Sequence, residues 1–325
     1  RMMWFTTTGW MMWNYLVGAL LVGAEIVLYD GSPAGETLWD LAEEVGVTIF
    51  GTSPAWIDVQ RKAGARPRAG RDLAIRAVGS TGSPLSPEGF EWVYEQLGPD
   101  IWLFSVSGGT DVCTAFVGGV PTLPVHAGEI QARALGCKVE ARGGELVIEE
   151  PMPSMPVGFW NDPDGARYRA AYFEDHPGMW THGDLLEFTE NGGMIISGRS
   201  DATLNRGGVR IGTAEIYRVV ESVPGVADSL VVHLEDGDRL ILFLAVEPGA
   251  VGDDRDLAAE VKQVVKGQLS PRHVPNEVHL IGAIPTTLSG KKLEVPVKKI
   301  LTGADPDQVA SRGSLRDPGA LDAIV

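Results

Sequence analysis

The sequence predicts an α/β fold: an open sheet with helices on its faces, then a smaller β-rich section, then a small α+β domain. Three observations carry this. Between residues 2 and 106, short apolar runs alternate with stretches of helical period, the order of repeated strand–helix units. After Ser107 the texture changes to brief strands separated by Gly and Pro. Near Arg199 a helix, two strands, a helix and a further strand follow in turn.

Residues 2–6 read as a strand entering a Thr/Gly loop, 11–22 as a buried helix and 25–29 as a strand. Asp30-Gly31-Ser32-Pro33 is a turn signal. Apolar residues at 38, 41, 42 and 45 set a helical period over 37–45. A strand at 47–50 precedes a helix at 56–62, and the basic stretch 61–71 reads as a solvated helix end and loop. A strand at 73–78 runs into Gly79-Ser80-Thr81-Gly82-Ser83-Pro84, followed by a helix at 87–97 and a strand at 101–106. The β-rich subdomain covers about 116–198, with loose loops at 151–184. Beyond it stand a helix at 214–223, paired strands at 226–233 and 239–246, a helix at 254–268 and a strand at 278–281. Residues 303–325 read as a flexible tail.

The 325 residues, 44% of them hydrophobic, exclude a disordered chain and leave room for about two domains. A net charge of −16 repels nucleic acid, so none is expected as a partner. Cys113 and Cys137 form no C-x-x-C, which reads as two ordinary buried thiols in a reducing, cytoplasmic setting. The six histidines lack metal-ligand spacing. Residues 2–24 carry no charge and are long enough to span a bilayer. However, Thr6–Thr8, Gly9 and Asn14 interrupt them, and their aromatics lie inside the run and not only at its ends. A strand, a loop and a helix explain the segment better, and no stable membrane insertion is expected.

Chemistry concentrates in glycine-rich turns after strands, where open α/β sheets bind ligands. The turn at 79–84 and Ser107-Gly108-Gly109-Thr110-Asp111 are of this kind. Neither matches G-x-G-x-x-G, and neither has the lysine of a phosphate loop, so each alone is equally an ordinary tight turn. Asp111 and Asp184 close polar turns; such a carboxylate holds Mg²⁺ or a ribose diol, or caps a helix. Arg199 and Arg210 suit phosphate or ribose oxygens, although a surface arginine is the commoner case. Lys291 follows Gly290 in a loop, placed either to stabilise a transferring phosphoryl group or simply to be solvated.

Taken in order, five blocks form a pattern. They are Thr6-Thr7-Thr8-Gly9-Trp10; Gly79–Leu85; Ser107–Asp111; Trp180-Thr181-His182-Gly183-Asp184 with Gly198-Arg199-Ser200-Asp201; and Gly208–Glu215 with Ser289-Gly290-Lys291. With these blocks the chain closely resembles the adenylate-forming acyl-CoA synthetases, most closely the branch that takes acetoacetate. The resemblance implies a partial adenylate-forming N-terminal domain at 1–198, a hinge at 199–203 and a mobile C-terminal domain at 204–302. It implies ATP, Mg²⁺ and coenzyme A as cofactor and cosubstrates, and a small carboxylate as substrate. The carboxylate attacks the α-phosphorus of ATP, and the coenzyme A thiol then attacks the acyl-adenylate.

By position, the resemblance puts Gly82, Ser83 and Pro84 at the adenine, Thr110 at the α-phosphate and Asp111 at Mg²⁺. Asp184 and Arg199 fall at the ribose, Arg210 at phosphate and Asp201 at the hinge. Lys291 serves the first half-reaction. Gly207 and Gly208 flank the coenzyme A channel, and Arg272 is a candidate for its phosphates. Thr8, Trp10 and Gly108 line an acyl pocket, the turn Ser107-Gly108-Gly109 standing where acetate-specific relatives carry a tryptophan and glycine there making room. Departures are Asp111 for the usual Glu, His182 for a small residue, Ala202 for an Asp and Glu294 for an Arg. A Ser/Thr/Gly-rich phosphate loop before the first block is missing. The chain therefore reads as the C-terminal half to two-thirds of a family member, expected to lack independent ligase activity. The alternatives are a nucleotide- or adenylate-binding module without turnover, and a ligase for another short-chain acid.

Overall fold

The computed structural model describes residues 1–200, 204–206, 209–247, 249, 256–288 and 290–324, with the backbone alone at 205, 206, 209 and 210. The chain divides into two units, Arg1–Ile196 and Ser197–Val325, each with its own core.

The first unit opens with β1 (Met2–Trp4), α1 (Met11–Gly18), β2 (Ile26–Val27), α2 (Thr37–Glu44), β3 (Ile49–Thr52), α3 (Pro54–Lys62), β4 (Ala77–Ser80), α4 (Pro87–Leu97) and β5 (Trp102–Ser105). Its five strands run parallel in the order β2-β1-β3-β4-β5. Strand alternation explains both faces. Met3, Phe50, Val78 and Leu103 lie in register on one face and meet Leu38, Trp39, Trp56, Phe90 and Val93 from α2–α4. On the other face the register row is Trp4-Gly51-Gly79-Phe104. A Cβ on Gly51 would come within 2.1 Å of the Trp4 ring, so two glycines in the middle of the row let the flanking aromatics lie across the sheet. Ser53 and Ser86 start α3 and α4, each accepting from a backbone N–H (Trp56, 3.4 Å; Gly89, 3.1 Å), with Pro in the first helical turn.

A buried amide fastens α2 to α3. The Trp39 indole N–H donates to Gln60 Oε1 at 2.8 Å, and Gln60 is 2% exposed. Replacing it with leucine strands that N–H in an apolar core. Gln60→Leu should therefore lose about 1–3 kcal/mol in urea unfolding, at an unchanged slope. Wild-type stability in this variant would refute the contact's role.

Next come β6 (Ser107–Gly109), β7 (Thr114–Gly118), β8 (Ala132–Arg133), β9 (Val139–Arg142), β10 (Glu145–Ile148), α5 (Ala166–Tyr172), β11 (Trp180–Phe188) and β12 (Met194–Arg199). They form a three-stranded sheet β6-β7-β8 and a four-stranded sheet β12-β11-β10-β9. Their core includes Val112, Phe116, Val139, Leu146, Ile148, Trp180 and Met194.

Four local expectations are corrected. The helix expected at 11–22 ends as a regular helix at Gly18; only Met12 and Leu16, one turn apart, are buried, while Leu21 is 91% exposed. Uniform apolarity carried no information about which side faced the core. The basic stretch at 61–71 is not simply solvated: Arg71 pairs with Glu36 and Asp40, and Arg68 Nε donates to Leu97 O at 2.9 Å, tying α2 and α4 to the loop. The loop region at 151–184 contains α5, whose start is held by Asp162 accepting from the Arg167 and Tyr168 amides. Cys137 is buried but Cys113 is exposed.

The second unit contains β13 (Leu204–Arg206), β14 (Val209–Ile211), α6 (Thr213–Val220), β15 (Val226–Leu234), β16 (Arg239–Val246), α7 (Leu257–Gln268), β17 (Glu277–Ile281), α8 (Glu294–Leu301) and α9 (Pro306–Val309). β15 and β16 are antiparallel, and β17 joins β16 in parallel. Alternation along β15 sends Val231 toward α6 and α7, and Leu230 and Val232 toward α8. Residues 303–324, read from sequence as a flexible tail, place Leu315, Leu321 and Ile324 in this second cluster. Arg312 joins Asp307 and Asp322 beside them.

Candidate functional site

In the first unit, the turns after β4 and β5 carry Gly82–Pro84 and Gly108–Asp111, with Trp10 beside the first and His182 linking the second to Asp184. The Thr81 hydroxyl donates to Val106 O at 2.7 Å and the Val106 amide to Ser80 O at 3.0 Å, joining the two loops. Gly82, Ser83 and Pro84 are exposed beyond them. Gly82 has φ +106°, a conformation that side chains rarely adopt, and a Cβ on it would lie 3.4 Å from the Trp10 indole, at ordinary contact distance. Trp10, half-buried, precedes the first turn of α1, with Thr8 exposed in the loop before it. The expected adenine turn and acyl-pocket tryptophan are thus neighbours.

Gly108 pairs with Ala115 across β6 and β7. A Cβ there would lie 2.1 Å from Thr114 O, so strand approach alone demands glycine, whatever acid the protein takes. Thr110 and Asp111 are exposed in the turn that follows, and the Tyr172 hydroxyl donates to Asp111 Oδ2. Tyr172 in turn stacks on buried Trp180, ring centroids 3.5 Å apart.

Asp184 is 8% exposed on β11. His182 lies beside it, Nε2 3.4 Å from Asp184 Oδ2 and 3.1 Å from Gly108 O, with its ring edge-on to Phe116. Between them Gly183, at φ +83°, donates its amide to Glu145 Oε1 at 3.0 Å. Sequence reading counted His182 only as a departure and overlooked Tyr172 and Glu145. Their partners lie tens of residues away, and no local pattern reveals such pairs.

The second unit holds the remaining candidates. Arg199 ends β12. Arg210 lies on β14 with its side chain outside the description, and Asp201, Gly207 and Gly208 lie outside the described residues, as do Ala202 and Ser289. Arg272 is exposed in a short helical turn, its amide donating to Ser270 Oγ at 3.2 Å. Lys291 is exposed in a tight loop: its amide donates to Thr287 Oγ1 at 3.0 Å, and the Thr287 amide donates to Lys291 O at 2.8 Å.

The next residue is treated oppositely. Lys292 points inward, its ammonium 2.5 Å from Glu221 Oε1, 2.6 Å from Asp228 Oδ1, donating to Ser229 O and lying 4.1 Å from the Tyr217 ring centroid. Burial opposes its charge, but Glu221 and Asp228 outweigh that penalty and raise the amine's pKa. The Tyr217 hydroxyl donates to Glu294 Oε1 at 3.1 Å. Burial raises the pKa of both groups, and the Glu294 charge raises that of Tyr217 further.

Among the described residues no group of three or more His, Cys, Asp or Glu is placed to hold a metal ion by itself. No described helix is long and apolar enough to cross a membrane.

A parallel sheet with glycine-rich turns at its carboxyl edge, followed by a small α+β unit, agrees with the family comparison. Residues 1–147 match the AMP-binding enzyme family, and residues 215–291 match the AMP-binding enzyme C-terminal domain. More specifically, the chain is similar to acetoacetyl-CoA synthetases. It is 48% identical to that of Rhizobium meliloti (strain 1021), over 99% of this chain and 51% of the relative, and 44% identical to that of Gallus gallus, over 98% and 50%. The solved acetoacetyl-CoA synthetase of Streptomyces lividans superposes with a TM-score of 0.89 at 48% identity, covering all of this chain and 52% of that one.

These matches correct the expectation of a C-terminal portion with only a partial large domain. Both the AMP-binding enzyme family and its C-terminal domain are matched within the chain. The chain spans about half the length of the curated relatives it matches.

Proposed function

We propose that the protein catalyses ATP-dependent acid–thiol ligation: acetoacetate, ATP and coenzyme A give acetoacetyl-CoA, AMP and diphosphate through an acetoacetyl-adenylate. The observation that carries this is the 48% identity to an acetoacetyl-CoA synthetase over 99% of the chain. An acetoacetate oxygen attacks the α-phosphorus and diphosphate leaves. The coenzyme A sulfur then attacks the acyl carbon and AMP leaves.

In this reading the exposed turn Gly82–Pro84 receives adenine and Thr110 the α-phosphate, while Asp184 and Arg199 bind the ribose. Arg210 and Lys291 meet phosphate charge, and Asp201 is the hinge. Gly207, Gly208 and Arg272 serve coenzyme A, and Thr8, Trp10 and Gly108 border the acyl group. Mg²⁺ fits at Asp111: the carboxylate is exposed and oriented by Tyr172, and this ion characteristically takes one or two carboxylates together with substrate phosphates. When bound it would neutralise phosphate charge. On a chain of net charge −16, that ion and the local Arg and Lys must offset repulsion of two polyanionic substrates. The free thiols fit a reducing, cytoplasmic setting.

The test is AMP formation from ATP in the presence of Mg²⁺, coenzyme A and a panel of short acids, with binding of a non-reactive acetoacetyl-adenylate analogue measured in parallel. Acetoacetate should lead the panel. Equal or better turnover of another acid overturns the substrate assignment. Analogue binding without turnover favours a binding module, and neither binding nor turnover overturns the proposal altogether.

A further inference from the structure

We propose that His182 is a positioning residue that fixes the Asp184 carboxylate and ties it to the glycine strand beside Thr110. The inference rests on the nucleotide-binding reading given above. His182 Nε2 lies 3.1 Å from the Gly108 carbonyl, with which it hydrogen-bonds, and 3.4 Å from Asp184 Oδ2, and both oxygens are acceptors. Nε2 must therefore carry the proton and donate. One N–H thus joins β6 to β11, elements 74 residues apart in sequence.

The surroundings are shaped to this ring. A Cβ on Gly109 would lie 2.8 Å from His182 Cε1, so glycine there admits the imidazole. Phe116 meets it edge-on at 4.5 Å between centroids. The His182 side chain is 12% exposed and that of Asp184 11%, so the bond is largely shielded from water. A buried carboxylate needs hydrogen-bond donors to stay charged and oriented. Holding Asp184 to the carbonyl of Gly108 couples the ribose side of the site to the acyl side. The histidine that departs from the family pattern therefore acts as a brace between them.

Calorimetric titration with AMP tests this, using the full chain and two substitutions. His182→Phe keeps a ring over Gly109 and against Phe116 but removes the donor; His182→Gln keeps a donor. The phenylalanine variant should bind AMP about tenfold more weakly, because the Nε2 proton that faces both the Gly108 carbonyl and the Asp184 carboxylate is lost. The glutamine variant should stay within about threefold of wild type. In wild type, ¹⁵N spectroscopy of the imidazole should show a protonated Nε2. Unchanged AMP affinity in His182→Phe overturns the role of His182 alone, as does an unprotonated Nε2 or equal loss in both variants. A wild-type chain that binds no AMP overturns the nucleotide reading and this role together.

Discussion

Lys292→Met should destabilise the second unit by about 3–5 kcal/mol, the cost of removing one partner from a buried charge cluster. The substitution leaves Glu221 and Asp228 facing each other without their shared cation, and Ser229 O without its donor. The methionine stem fills similar space, so the loss measures charge and hydrogen bonding more than a cavity. The cluster also imposes a pH dependence. The folded-state pKa of Lys292 is raised, so its contribution is fully present below the ordinary lysine range and is lost as pH rises through the folded value. Denaturant unfolding of wild type and variant at neutral and strongly alkaline pH checks both statements. The gap between the two proteins should narrow at high pH; a constant gap, or none, excludes this account.

Lys291→Ala should do the reverse. Its side chain is exposed, so stability should change by no more than about 0.5 kcal/mol. If Lys291 meets the developing phosphate charge, its removal should slow adenylate formation by about a hundredfold to a thousandfold, as loss of an oriented transition-state partner does elsewhere. Thioester formation from supplied acetoacetyl-adenylate should persist, because no phosphoryl group is displaced in that step. ATP–diphosphate exchange measures the first half-reaction, and coenzyme A consumption from the adenylate measures the second. Normal exchange in the variant would remove Lys291 from the chemistry. The two adjacent lysines thus separate cleanly: one holds the fold at 287–292, the other is presented by it.

What could be read from the chain follows from how local each signal is. Helix α4 was legible to the residue, because Ser86-Pro87 caps its start and its apolar period is regular. The paired strands β15 and β16 were legible because most residues in them are apolar and many are β-branched. Helix α1 was misjudged, since an apolar run without a polar stripe does not say where the core lies. Helix α5 was missed because its start depends on Asp162 accepting two amides, a cap with a loose signature. At the site, Gly82, Asp111 and Asp184 stand in short motifs, and motifs survive in one dimension. The roles of His182, Tyr172, Glu145 and Lys292 depend on contacts spanning 38 to 74 residues.

The sequence by itself determined the α/β class, the order of the site blocks and the resemblance that names the chemistry, because composition, period and motif are properties of neighbours in the chain. Only the tertiary structure decided why Gly108 must be glycine, which of two adjacent lysines is buried, and that His182 braces Asp184. Each of these is a question of steric exclusion or charge pairing between segments that the fold, not the chain order, brings within a few ångströms.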